Sequence, residues 1–103
     1  MWTVFAPTNA AFNTAPPITD IEYVLLGHTV VGELIPFEDL ECTIKTDMTN
    51  GKYTRTVCDS GVNRGRTYQK GLGNADDARP EIIDINIPAC NGIIHVVSEV
   101  ILF

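Results

Sequence analysis

Hydrophobic and polar positions change their period several times along this chain of 103 residues, and each change marks an element. Thr3-Val4-Phe5-Ala6 is a β-prone run. Pro7 closes it, since proline fixes φ and brings no N–H to a ladder. Thr8 and Asn9 then offer side-chain oxygens to cap a brief helical turn at Ala10-Ala11-Phe12. Pro16-Pro17 stops that turn. Ile21, Val24 and Leu25 recur at i, i+3 and i+4, which predicts a helix over Ile21–Leu26. Thr19 or Asp20 can cap it, and Gly27 marks its end. The β-branched Thr29-Val30-Val31 makes His28–Glu33 a strand or extended link, and Ile35–Leu40 reads as a loop with room for one helical turn.

The second half is β-rich. Two β-prone arms between Cys42 and Cys58 flank Thr49-Asn50-Gly51-Lys52, and Asn-Gly is a strong hairpin signal because both residues tolerate positive φ. A two-residue turn at Asn50-Gly51 would pair Met48 with Tyr53 and set Cys42 opposite Asp59. A three-residue loop with Gly51 left-handed would pair Cys42 with Cys58 directly, and a bulge would reconcile the two registers. Gly61–Gly73 holds a weak strand around Thr67-Tyr68-Gln69, and Asn74–Pro80 is a polar loop. Glu81–Ile87 alternates, with Ile83, Ile85 and Ile87 on one face. A turn at Asn91-Gly92 leads into Ile93–Phe103, an apolar strand or strand pair. Five or six strands and two short helices give an α+β class with a dominant sheet.

Composition narrows the functions. The length predicts a single domain over residues 1–103, and 45% hydrophobic against 19% charged residues excludes intrinsic disorder. Seven basic against thirteen acidic residues give a net charge of −6. Phosphate-backbone binding draws on clustered Lys and Arg, so nucleic acid is not an expected partner. The longest apolar run, Ile93–Val97, is interrupted by His95 and falls far short of a membrane span of about 20 residues. Any membrane attachment is therefore expected through an anchor outside this chain.

Three stretches together resemble the fasciclin domain. Thr3-Val4-Phe5-Ala6-Pro7-Thr8-Asn9-Ala10-Ala11-Phe12 matches the signature T-V-F-A-P-T-D/N-x-A-F, with Thr3, Phe5, Pro7, Thr8 and Phe12 at characteristic positions. Asn91-Gly92-Ile93-Ile94-His95-Val96-Val97, followed by Val100-Ile101-Leu102, is similar to the second signature, N-G-V-I-H-V-I-D-x-V-L. Leu26-Gly27-His28-Thr29-Val30-Val31-Gly32 resembles the family's tyrosine–histidine segment, with Gly27 in the tyrosine's place. The resemblance implies a twisted β-wedge with short helices on one side. It also implies a secreted or cell-surface adhesion module, often in tandem, that is not an enzyme. Against the usual family pattern, this sequence holds no residues for the helices ahead of the first signature and Phe12–His28 is short, so either a truncated fragment or a compact subtype is expected. An uncovered apolar flank drawn from Trp2, Phe5, Ile21, Leu25 and Phe103 is therefore expected, and with it a homodimer.

Candidate chemistry is sparse. His28 and His95 are the only histidines, and without Cys or carboxylate at ligand spacing they make a poor zinc site. They are expected to be core histidines, each holding a backbone or hydroxyl partner. Ser60 and Ser98 lie in no G-x-S-x-G elbow. Gly71–Asp77 superficially resembles a phosphate or calcium loop. It lacks the Lys-Ser/Thr helix start of the first and the alternating carboxylates of the second, so no metal or cofactor is expected. The extracellular setting implied by the resemblance favours a Cys42–Cys58 bridge, leaving Cys90 as a small buried residue or a free thiol.

The expected function is a non-enzymatic cell-adhesion or matrix-interaction module whose partner is an extracellular protein or glycan, homophilic contact included. The rival readings are a structural spacer in a tandem array and a small-ligand-binding domain. In animal matrix members of the family, an Asp-Ile pair five residues ahead of the second signature's glycine is assigned to integrin recognition. Here those positions are Asn86 and Ile87. A neutral amide is a weaker ligand for a hard cation than a carboxylate. Integrin binding by this route is therefore not expected, and the candidate surface shifts to the β-wedge or the Asn74–Pro80 loop with Asp76 and Asp77.

Overall fold

The computed structural model describes residues 1–59 and 65–103. Ser60 and the first residues of the Gly61–Gly73 stretch lie outside the described residues. The class is α+β. Strand β1 (Trp2–Pro7) leads to helices α1 (Asn9–Thr14) and α2 (Ile21–Leu26) and then to β2 (Thr29–Val31). A 3-10 turn at Phe37–Asp39 precedes β3 (Lys45–Asp47), β4 (Tyr53–Cys58) and β5 (Thr67–Gly71). A second 3-10 turn at Asp76–Ala78 precedes β6 (Ile82–Ala89) and β7 (Gly92–Val97). Among the described residues the strands form a four-stranded sheet in the order β2-β1-β7-β6 and a three-stranded sheet in the order β3-β4-β5. β1 and β7 pair in parallel from Trp2–Gly92 to Pro7–Val97, and the other pairings are antiparallel.

Caps fall where the short polar side chains stand. Thr8 accepts from the Ala11 N–H at the start of α1, and Asp20 accepts from the Tyr23 N–H at the start of α2. Gly27 ends α2 in a right-handed conformation, and a Cβ there would meet the Phe103 ring and the Asn50 side chain, which would have to shift. The Phe103 ring also meets Tyr23 edge-on, at 6.5 Å between centroids.

The hairpin takes the three-residue loop. Met48 donates to the Lys52 carbonyl, and Gly51 has φ +85° and donates to Met48. This register sets Asp47 opposite Tyr53 and Lys45 opposite Arg55. A bulge follows at the far end, where Thr56 both accepts from Thr43 and donates to Ile44, and Thr43 has φ +71°. Cys42 and Cys58 are bonded, with 5.5 Å between their Cα atoms.

The core gathers Phe5, Val30, Ile35, Met48, Ile82, Val97 and Ile101, with Phe37, Leu40 and Phe103 packed on its margin. Two expectations fail here. Phe5 is fully buried and is no part of an open flank. In β6 the core residue is Ile82, while Ile83 and Ile85 are 51% and 40% exposed. The register between β6 and β7 slips twice, between Ile82 and Asp84 and again between Asp84 and Ile87. Bulges reset which side chains face inward, so a period-2 reading of Ile83, Ile85 and Ile87 does not survive them.

Candidate functional site

The signature residues build the fold. Thr3 is fully buried; its hydroxyl donates to the Glu33 carbonyl at 2.8 Å and accepts from the Ile35 N–H at 2.8 Å, tying β1 to the 33–35 segment. Pro7 stands opposite Val97 where the parallel pair ends. The Asn91 carbonyl accepts from Trp2 N–H at 3.0 Å, and Gly92 opens β7 opposite Trp2. Phe12 departs from the rest at 40% exposed, because α1 turns Ala11 inward instead.

Both histidines have both ring nitrogens engaged by the main chain. His95 sits under Phe5, with its Nε2 2.8 Å from the Ile35 carbonyl and its Nδ1 accepting from the Asn86 N–H at 3.2 Å. These partners define a neutral ring protonated on Nε2. His28 is the mirror case. Its Nδ1 lies 2.7 Å from the Val24 carbonyl and its Nε2 accepts from the Ile101 N–H at 2.9 Å, so the proton is on Nδ1. Burial pushes the His28 pKa below its ordinary value of 6.5, while the Val24 carbonyl acts in the opposite sense. A second proton on Nε2 would face the Ile101 N–H. His28 thereby locks the C-terminal segment onto the end of α2.

The candidate interaction residues separate. Asn74 is buried; its Oδ1 accepts from Gly71 and Leu102 N–H groups and its Nδ2 donates to the Val100 carbonyl. It is a clamp on the C-terminal segment and offers nothing to a partner, which corrects its place on the candidate surface. Asp76 and Asp77 are exposed in the 3-10 turn. Asn86 has φ +55°, a conformation asparagine tolerates better than most residues. Its Oδ1 accepts from Phe37 N–H at 2.8 Å and its Nδ2 donates to Glu38 at 2.6 Å. That oxygen is already committed to the main chain. Ile87 pairs with Ile94 and is half-buried on the sheet's outer side. Cys90 is an exposed free thiol.

Three features have no signal in the sequence pattern. The first is the outer face of the four-stranded sheet, where the register aligns Trp2, Val4 and Ala6 with Ile94, Val96 and Ile87. None of these is buried, and Trp2 is 38% exposed. Of the residues expected on an apolar flank, Trp2, Ile21 and Leu25 are exposed, Phe103 is half-buried and Phe5 is not exposed at all. The second is a cleft of about 320 Å³ between β3 and the 33–41 segment. The third is a cluster in which Arg79 lies 4.0 Å over the Tyr68 ring and 3.4 Å from Asp59, itself bonded by the Tyr68 hydroxyl. Their separations in sequence, 9 and 20 residues, hide the cluster from any local reading.

A parallel β1–β7 pair built from two signature strands, two core histidines turned to the main chain and a hairpin closed by a disulfide define a β-wedge module. The fasciclin-domain family model matches residues 1–103, and the chain belongs to that family. A search of the curated proteins returned no match. Among solved structures, the chain is similar to a FAS1 domain pair from the insect cell adhesion molecule Fasciclin I, with a TM-score of 0.68 and 15% identity. The match covers 97% of this chain and 36% of that one, and it shows a shared fold.

Proposed function

We propose that this domain is a non-enzymatic extracellular module for cell adhesion or matrix interaction. The family match over the whole chain carries the reading. The structural neighbour is described as a cell adhesion molecule, which points the same way. Two further observations support it. The Cys42–Cys58 bond suits an oxidising compartment outside the cytosol. Both imidazoles spend both nitrogens on backbone groups, so neither is free to act as a general base.

The partner is an extracellular protein or glycan. Self-association joins it through the outer face of the four-stranded sheet, since contiguous exposed apolar area favours an interface. Cell attachment to the immobilised domain tests the reading. Cells are expected to attach above an albumin control, and neither EDTA nor Asn86→Ala should change this. Attachment at the control level would overturn adhesion in favour of a spacer. Light scattering tests the self-association: a strict monomer at millimolar protein would remove it.

A further inference from the structure

The cleft beside β3 has an unusual wall. Consecutive strand side chains point to opposite faces. A cleft lined by Ile44, Lys45, Thr46 and Asp47 in succession therefore runs along the strand's edge and not across one face. The main chain agrees. Hydrogen-bonded pairing to β4 falls at Ile44–Thr56 and at Met48–Lys52. Alternation then turns the N–H and C=O groups of Lys45 and Asp47 away from β4, toward the open edge. An edge strand in this state is a template for another strand.

The cleft's chemistry selects what can lie there. Val30 and Ile35 give it an apolar floor. Glu33, Asp39, Glu41 and Asp47 line its rim, and all four are exposed. The ion pairs among the described residues, Arg66–Glu81 and Arg79–Asp59, involve none of them. Lys45, the basic residue among those that line the cleft, carries its ammonium 4.4 Å over the Tyr53 ring. The chain's net charge of −6 deepens the negative potential. A second copy pairing β3 to β3 would bring two such rims together, which like-charge repulsion opposes.

We infer that the β3 edge receives an extended basic segment of a partner protein as an added strand. Main-chain groups of Lys45 and Asp47 bond it, alternate Lys or Arg side chains meet the rim carboxylates, and the intervening aliphatic side chains rest on Val30 and Ile35. β3 is three residues long, so the added strand spans about 10 Å. The inference deepens the adhesion reading by naming a surface and a partner chemistry, and its test runs without cells so that the two can fail separately.

The probe is an acetylated, amidated hexapeptide alternating lysine and valine, titrated into the isotope-labelled domain and followed by NMR. Shifts are expected at 44–47 and 33–41. The glutamate–valine counterpart should not bind. Methylating alternate peptide nitrogens should weaken binding at least about tenfold, the worth of two hydrogen bonds. Neutralising two carboxylates with Asp39→Asn and Asp47→Asn should cost about tenfold, as two partly screened ion pairs would. Lys45→Pro removes an edge N–H and no main-chain bond to β4, and should bind more weakly than Lys45→Gln, which controls for the lost charge and Tyr53 contact; equal unfolding midpoints of the two variants would show the fold intact. Equal binding of the methylated peptide in both registers, shifts confined to other regions, or no binding would overturn the inference. Cell attachment without peptide binding would overturn it alone and leave adhesion to another surface.

Discussion

The four-stranded sheet buries mostly hydrocarbon around two polar side chains, Thr3 and His95, whereas the inward side chains of the three-stranded sheet bury a polar ladder. On the inner face of the first, Phe5, Val30, Ile82 and Val97 are at most 8% exposed. Facing inward from the second are Thr54, Thr56 and Gln69, at most 1% exposed. There the Thr56 hydroxyl donates to Gln69 Oε1, Gln69 Nε2 donates to Thr54 Oγ1, and the Thr54 hydroxyl lies against Met48 Sδ. Burying a large apolar side chain contributes about 1.5–3 kcal/mol. A satisfied hydrogen bond nets about 1 kcal/mol, and the same group left unpaired costs more than that. Burial alone thus drives the second sheet less strongly, and this sheet carries the covalent closure at Cys42–Cys58. The signature strands are therefore expected to form the more stable scaffold, with the hairpin sheet held by a staple and a polar ladder.

That contrast can be broken most directly at Phe5. Phe5→Ala should destabilise the domain by about 3–5 kcal/mol, as large core truncations do. Urea unfolding measures it, and a loss under about 1 kcal/mol would deny the first sheet its leading role. The next largest effect is expected at the staple. Replacing Cys42 and Cys58 by serine should cost about 3 kcal/mol in the chain-entropy account of a loop this long. Hydrogen exchange should show β4 and β5 losing protection before β1 and β7. Uniform loss would mean the sheets are one cooperative unit. In the parent, thiol titration under denaturing, non-reducing conditions should find one free thiol, Cys90.

His95→Ala comes third, at about 2 kcal/mol or more, because the Ile35 carbonyl and the Asn86 N–H lose their partner inside the core. A variant as stable as the parent would free His95 for a functional role. The smallest effect is pH-dependent. With its folded pKa below 6.5, His28 binds a proton more readily in the unfolded chain. Its contribution is complete above 6.5 and is lost as pH falls from there toward the folded value. Unfolding free energies of the parent and His28→Gln, compared at pH 7.5 and 5, should show the steeper loss in the parent. Parallel profiles would remove His28 as the cause.

Local chemistry made much of the scaffold legible. The span of α2, its Asp20 cap and the end at Gly27 follow from side-chain spacing and capping oxygens within seven residues. The two signature strands were equally plain, since residue types and spacing there are dense enough to identify a family. The β6 face departs from simple alternation for a physical reason: alternation assumes an unbroken ladder, and the ladder with β7 slips twice. Asn74 looked like loop chemistry, yet its amide bonds Val100 and Leu102 across 26 and 28 residues. Nothing near Asn74 in the chain announces those partners.

Residue order alone settles the family, the ends of α2 and the place of the hairpin turn. Each depends on residues a few positions apart. Tertiary structure alone decided which hairpin register held, because Gly51, the Thr43 bulge and the Cys42–Cys58 bond had to agree at once. It decided that the histidines serve the backbone, since Ile101 reaches His28 across 73 residues and Ile35 reaches His95 across 60. It also placed an open strand edge beside four carboxylates from two separate segments. Which groups meet across such distances is set by how strands register and stack, and that information is spread over the whole chain.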